Sequence, residues 1–220
     1  MYTKLIRPLF FKLDPEKAHE LTIGGLHAMG NIPGGTALLR SMYRTPQHPE
    51  LALNVGGLSF DNPIGLAAGL DKNAEAVKGF SAFGFSFIEV GTVTPKPQPG
   101  NEKPRIFRLP ENEALINRMG FNNEGADKMA QRLQALSPSR VKIAVNIGKN
   151  KVTPNEEASE DYRLCIRKLY TYADLFVVNI SSPNTPNLRS LQHGEELARL
   201  LSDIHEEIKQ SAAGQEKSKP

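Results

Sequence analysis

The chain has 220 residues, enough for one substantial core arranged as one or two domains. At 39% hydrophobic, 23% charged and a net charge of +3 it has the make-up of an ordinary globular protein, and with no basic block interleaved with aromatics no nucleic-acid partner is expected. One cysteine, Cys165, excludes an internal disulfide; the lack of a Cys/His cluster at zinc spacing predicts no metal; and no apolar run reaches the roughly 18–20 residues of a membrane-spanning helix.

Residues 1–45 read as a small helical arm. Tyr2, Leu5, Ile6, Leu9 and Phe10 recur at helical spacing, with Lys4, Arg7 and Lys12 between them. The stretch has no secretory h-region or cleavage site, so a cytoplasmic chain is expected. Asp14-Pro15 supplies the N-cap and first-turn proline of a helix that carries Ala18, Leu21, Ile23, Leu26 and Met29 and closes at Gly30 and Pro33-Gly34-Gly35. A third amphipathic piece holds Leu38, Leu39 and Met42. Two readings stay open here: an arm docked on the main domain, or an interfacial membrane patch.

Residues 46–220 follow a different pattern. A hairpin is predicted at 51–60, then four strand–helix units with strands at 63–68, 87–92, 143–147 and 175–180. Their helices carry Val77 and Phe80, Met129 and Leu133, Tyr162 and Ile166, and Leu200 and Ile204. An irregular excursion spans 95–123. Short, continuously apolar strands are those of a parallel sheet buried on both faces, so the class is α/β. No G-x-G-x-x-G follows the first strand, and polar residues stand at the C-terminal end of all four strands. Both observations favour a (β/α)8 TIM barrel over a doubly wound sheet.

Those strand ends carry the candidate chemistry. Ala68 and Gly69 leave room for a flat ligand, and Lys72 offers a cation, although Asp71 reads equally well as the cap of the next helix. Thr92 offers a hydroxyl, or simply ends a strand before Pro95. Asn117, Arg118, Met119, Gly120 and Phe121 sit in a loop long enough to be functional. Asn146 and Asn179 each follow an apolar strand and need partners, from a ligand or from the core. After the fourth strand, Pro183 and Pro186 stiffen a turn that displays Ser182 and Asn184. Amides and one lysine suit a planar imide or pyrimidine with one anionic group. No P-loop supports a polyphosphate, and no His-Asp pair backs Ser182 as a nucleophile. Redox chemistry would need a bound cofactor.

Gly69-Leu70-Asp71-Lys72-Asn73, Gly91-Thr92-Val93-Thr94-Pro95, Asn117-Arg118-Met119-Gly120-Phe121-Asn122-Asn123 and Asn179-Ile180-Ser181-Ser182-Pro183-Asn184-Thr185-Pro186, in this order and spacing, resemble the dihydroorotate dehydrogenase family over essentially all of residues 1–210. The family has a soluble class with a cysteine base and a membrane-associated, quinone-linked class with a serine. Ser182 and the helical arm imply the second, peripheral on the cytoplasmic side of the membrane. The resemblance implies oxidation of dihydroorotate to orotate in pyrimidine (UMP) biosynthesis, with FMN as hydride acceptor and quinone as final acceptor. FMN contacts fall on Ala68, Gly69, Leu70, Asp71, Lys72, Thr92, Asn146 and Asn179. Substrate contacts fall on Lys72, Asn117, Asn179 and Asn184, helped by backbone groups of Arg118, Met119, Gly120 and Phe121, with Ser182 as general base. His19 is the histidine placed near the quinone path.

A complete barrel takes roughly 250 residues, and only four of its units fit here. The chain is therefore read as the first half of the barrel, without the family's later flavin-contacting lysine and phosphate loops. Weak FMN binding and little turnover are expected of it alone. The alternative is an inactive membrane-associated or dimerising module.

Overall fold

The computed structural model describes residues 2–43, 46, 48–136, 141–185 and 187–213; Pro186 and the last residues of the polar tail lie outside them. A π-helical turn, Tyr2–Ile6, leads into α1 (Arg7–Phe11), followed by α2 (Pro15–Asn31) and α3 (Gly35–Tyr43). Asp14 caps α2 as its sequence predicts, with Oδ1 accepting from the backbone N–H groups of Glu16 at 3.0 Å and Lys17 at 3.1 Å. The expected apolar stripe of α2 is only partly inward. Ala18 and Ile23 are buried, whereas Leu21 is 59% exposed. On α3, Leu39 is buried while Leu38 and Met42 face outward.

β1 (Leu53–Val55) and β2 (Leu58–Phe60) form the predicted hairpin. Gly56 and Gly57 both have positive φ, as its two-residue turn requires. Next come β3 (Gly65–Leu66), α4 (Val77–Phe80) and β4 (Phe87–Val93). α4 lies close against α2: a Cβ on Gly79 would sit 2.5 Å from Leu26 O. The excursion after β4 is not irregular throughout. It contains an antiparallel hairpin, β5 (Ile106–Leu109) with β6 (Ala114–Asn117). The remaining elements are α5 (Ala126–Gln134), β7 (Lys142–Ile147), α6 (Ala158–Leu169), β8 (Leu175–Val178) and α7 (Gly194–Ala212).

The four-stranded sheet runs β3-β4-β7-β8, every pair parallel. Each new strand is added at the same edge, with no reversal of order. A doubly wound sheet has such a reversal, so the winding is that of a barrel. The first strand is shorter than predicted, because only Gly65 and Leu66 pair with β4.

In the central pair, Ile88 and Val90 lie opposite Ile143 and Val145, all buried. Together with Met129, Leu133, Tyr162, Ile166, Leu200 and Ile204 from the helices they form the core. Burying each large aliphatic side chain contributes about 1.5–3 kcal/mol. The alternate positions, Glu89 and Asn146, share the other face and bond to one another at 2.7 Å.

α6 and α7 are joined by a buried acid. Glu207 accepts from Arg163 Nε at 2.9 Å and from Arg167 Nε and Nη2 at 2.8 Å each. Burial pushes its carboxyl up, but the bonds from Arg167 and Arg163 outweigh it and hold the group below the usual carboxylate range. Both arginines still reach water, so Glu207→Gln is expected to cost about 2 kcal/mol in urea unfolding rather than the larger loss of a sealed pair. A depressed folded pKa contributes stability above the unfolded value and loses it as pH falls through the folded one. The gap between wild type and variant is therefore expected to close on acidification below about pH 4.

Candidate active site

The C-terminal ends of β3, β4 and β8, the β5–β6 hairpin with the loop after it, and the first helices surround one cavity of about 930 Å³. Its floor is backbone. Gly69 has φ +99°, and no atom lies within 4 Å of where a Cβ would stand. With Ala68 it makes an open shelf, pinned by the bond from Gly69 N–H to Gly91 O at 2.9 Å. Leu70 and Lys72 line the same wall. Asp71 lines it too, but its carboxylate accepts from the N–H groups of Glu75 at 2.7 Å and Ala76 at 2.8 Å. Asp71 thus ties down the turn ahead of α4 rather than capping the helix, whose N-cap is Ala76 with no side-chain bond, and burial raises the Asp71 pKa.

Thr92, Asn146 and Asn179 come from three successive strands and meet in one cluster. Thr92 Oγ1 donates to Asn146 Oδ1 at 2.5 Å, and Asn179 Nδ2 donates to Thr92 Oγ1 at 2.9 Å. Asn179 Oδ1 accepts from Ser181 N–H, and the Tyr162 hydroxyl holds Asn179 O at 2.9 Å. The cost of burying these amides is met within the protein. Thr92 and Asn179 also face the cavity; Asn146 lies behind them.

The end of β6 and the loop after it bring Asn117, Met119, Gly120 and Phe121 to the cavity wall. Arg118 does not join them: its guanidinium turns away to Pro104 O, at 3.0 and 3.2 Å. Its backbone belongs to the loop's frame instead. Lys72 Nζ crosses the cavity to Asn122 Oδ1 at 2.6 Å. Asn122 belongs to a motif already noted but was not singled out. Only the fold discloses that it faces the lysine.

Ser182 and Asn184 close the opposite side. Ser182 Oγ accepts from Asn184 N–H at 3.2 Å, so the hydroxyl is oriented by its own turn. Gln192 Nε2 and Arg189 Nε fasten that turn by donating to Ile180 O and Ser181 O, each at 3.0 Å. The far end of the cavity is a throat lined by Phe10, Phe11, Ile23 and Leu115, with His19 and Arg108. Burial and the nearby Lys72 lower the pKa of His19. Apart from His19 and the general expectation that quinone approaches along the arm, the sequence does not mark these throat residues, because they lie about ninety residues apart.

Burial pulls the Lys72 ammonium down to about 8, with the Arg105 cation adding to the effect. The charged form is therefore half lost at about pH 8 and declines across the range on either side. Affinity for an anionic ligand is expected to weaken as pH rises from 7 to 9, and Lys72→Met should flatten that profile, as read by orotate titration. Folding stability moves the other way. The unfolded lysine holds its proton to about pH 10, so stability rises between about pH 8 and 10.

A family model described as Dihydroorotate dehydrogenase matches residues 50–215. The chain belongs to the dihydroorotate dehydrogenase family. Dihydroorotate dehydrogenase (quinone) of Deinococcus radiodurans is 53% identical over 212 residues, covering 92% of this chain and 58% of that protein. The protein of the same name from Idiomarina loihiensis is 54% identical over 200 residues, covering 91% and 58%. The crystal structure of DHODH from Eimeria tenella in complex with ferulenol superposes with a TM-score of 0.79 at 41% identity, over 94% of this chain and 57% of that one. The chain thus spans a little over half the length of the dihydroorotate dehydrogenases it matches, and its barrel-type winding is that of the same family.

Proposed function

We propose that this chain carries the dihydroorotate side of a quinone-linked dihydroorotate dehydrogenase. The supporting observation is that one cavity gathers the shelf at Ala68–Gly69, the cation of Lys72, the amides of Asn117 and Asn184, and the hydroxyl of Ser182. Lys72 would pair with the substrate carboxylate, a charge-assisted contact in a partly dry site. Asn117, Asn179 and Asn184 would read the edges of the pyrimidine, with backbone groups of the 118–121 loop.

Ser182 would take the proton from C5 of dihydroorotate as its own hydroxyl proton passes to solvent in the cavity, so that the seryl oxygen turns alkoxide-like in between. The Asn184 N–H would hold the seryl oxygen in line and offset the charge that develops on it. The residues present fit the ring of FMN: an open glycine shelf for its face, and Thr92 and Asn179 beside it. Bound there, FMN would supply the acceptor for the hydride leaving C6. Leu70, Asp71 and Lys72 would border it through the 68–72 backbone, and Asn146 would support it through Thr92.

Quinone would enter by the throat between the first helices and the β5–β6 hairpin. The arm exposes Leu5, Leu9, Leu21, Leu38 and Met42 beside Lys4, Arg7 and Lys12, a face suited to lying at the cytoplasmic surface of the cell membrane. No helix among the described residues is long and apolar enough to cross a membrane.

The decisive experiment is a visible spectrum of the purified chain with FMN. With FMN in excess, so that weak binding is saturated, orotate is expected to perturb the flavin bands and dihydroorotate to bleach them slowly, in keeping with the little turnover expected of this chain alone. A spectrum indifferent to both ligands overturns the reading.

A further inference from the structure

Glu16 stands in the first turn of α2, and Arg105, 89 residues later, lies just ahead of β5. Both side chains are almost wholly buried, at 8% and 7% exposure. Arg105 Nε donates to the two carboxylate oxygens at 3.2 and 3.1 Å, and Nη2 donates to Oε1 at 2.6 Å. The rest of the fork faces the other way: Nη1 donates to Pro99 O at 2.6 Å and to Asn101 O at 2.9 Å.

The strap 99–105, held in this manner, is sewn to the cavity loop. Arg105 O accepts from Arg118 N–H at 2.8 Å, Asn101 N–H donates to Met119 O at 3.0 Å, and Asn101 Nδ2 donates to Arg118 O at 2.8 Å. The two backbones touch closely enough that a Cβ on Gly100 would lie 2.4 Å from Met119 O.

We infer that Glu16 is a positioning residue: through the Arg105 fork it fixes the place of the cavity loop 117–122 relative to the arm. Stability alone is a poor account of the pair, because a buried ion pair roughly breaks even against well-packed apolar groups. A bidentate planar fork adds direction, which an apolar contact does not. The chain from carboxylate to loop passes only through hydrogen bonds with stated partners. That loop 117–122 is the substrate loop rests on the function proposed above; that Glu16 holds it does not.

The test is amide hydrogen exchange on the full 220-residue chain, comparing wild type with Glu16→Gln and Arg105→Lys. The first keeps shape and removes the charge; the second keeps charge and removes the fork. In both, exchange across 117–122 is expected to quicken about tenfold to hundredfold, while β7 and α6 exchange as in wild type. If one variant does not fold, the other decides. Unchanged exchange at 117–122, or equal quickening there and in β7, overturns the inference, as does full protection in Arg105→Lys. Orotate titration of the FMN-loaded chain then separates the two readings. A parallel loss of orotate affinity in the variants supports both. Faster loop exchange in a chain whose wild type ignores orotate supports the positioning role and removes the substrate assignment.

Discussion

Replacing Ser182 by alanine is expected to slow dihydroorotate-driven bleaching of bound flavin by about 10²- to 10⁴-fold, the usual contribution of a positioned general base. Orotate affinity should change little, because Ser182 gives the substrate no charge and its turn is held elsewhere. Ile180 O and Ser181 O are fastened by Gln192 and Arg189, and neither bond involves the Ser182 side chain. The alanine leaves Asn184 N–H without its acceptor, but Asn184 is only partly buried and can turn to water. The prediction is therefore a split result: rate lost, ligand kept. Single-turnover absorbance and equilibrium titration on the same sample read the two halves. Normal bleaching by Ser182→Ala would remove Ser182 from the role of base.

The second large effect is on the scaffold. Gly91→Ala is expected to destabilise the chain by about 3–5 kcal/mol, a large share of the roughly 5–15 kcal/mol that holds a domain together. Gly91 has φ +109°, a region that L side chains rarely occupy, and its Cβ would stand 2.4 Å from Asn146 O. That neighbour is backbone of β7 in the centre of the sheet, so it cannot swing aside. Gly91 O also receives the N–H of Gly69, so a displaced Gly91 moves the shelf on which the flavin would lie. Thermal unfolding should report the lost stability. Weaker flavin retention at temperatures where the variant is still folded should report the shelf. Wild-type stability in Gly91→Ala would mean that the sheet tolerates a shift the geometry excludes.

Much of this was legible in the sequence because the underlying physics is local. Asp14-Pro15 announces a helix start within two residues, and the β4 and β7 strands are apolar runs that only a sheet buried on both faces would use. Ala68, Gly69, Thr92, Asn179 and Ser182 were legible because they stand at or just after the C-terminal ends of apolar strands. The β5–β6 hairpin was not. All four residues of β6 are exposed, so no buried face imprints an alternation on Ala114–Asn117. The signal available was the turn: Pro110–Asn112 followed by Glu113 with φ +48° links two short runs that could pair. Three contacts were beyond a one-dimensional reading because each depends on long-range closure: Lys72 with Asn122, Glu16 with Arg105, and the throat between Phe10 and Arg108. Arg118 was legible only as part of a loop expected to act through its backbone; that its guanidinium is engaged by Pro104 O is a detail the fold adds.

The order of the parallel sheet also sets a timetable for synthesis. Since β3, β4, β7 and β8 are neighbours in space in the order in which they leave the ribosome, each strand finds its docking edge already made, and its search spans only the one connection that precedes it, the longest being the hairpin and α5 between β4 and β7. The arm has the opposite fate. Its anchors to the hairpin bridge 89, 95 and 98 residues, through Glu16 to Arg105, Leu13 to Arg108 and Phe10 to Arg108. The arm thus docks in two stages: α2 can bring Ile23 and Leu26 against α4 as soon as that helix is made, whereas these three anchors must wait for the β5–β6 hairpin.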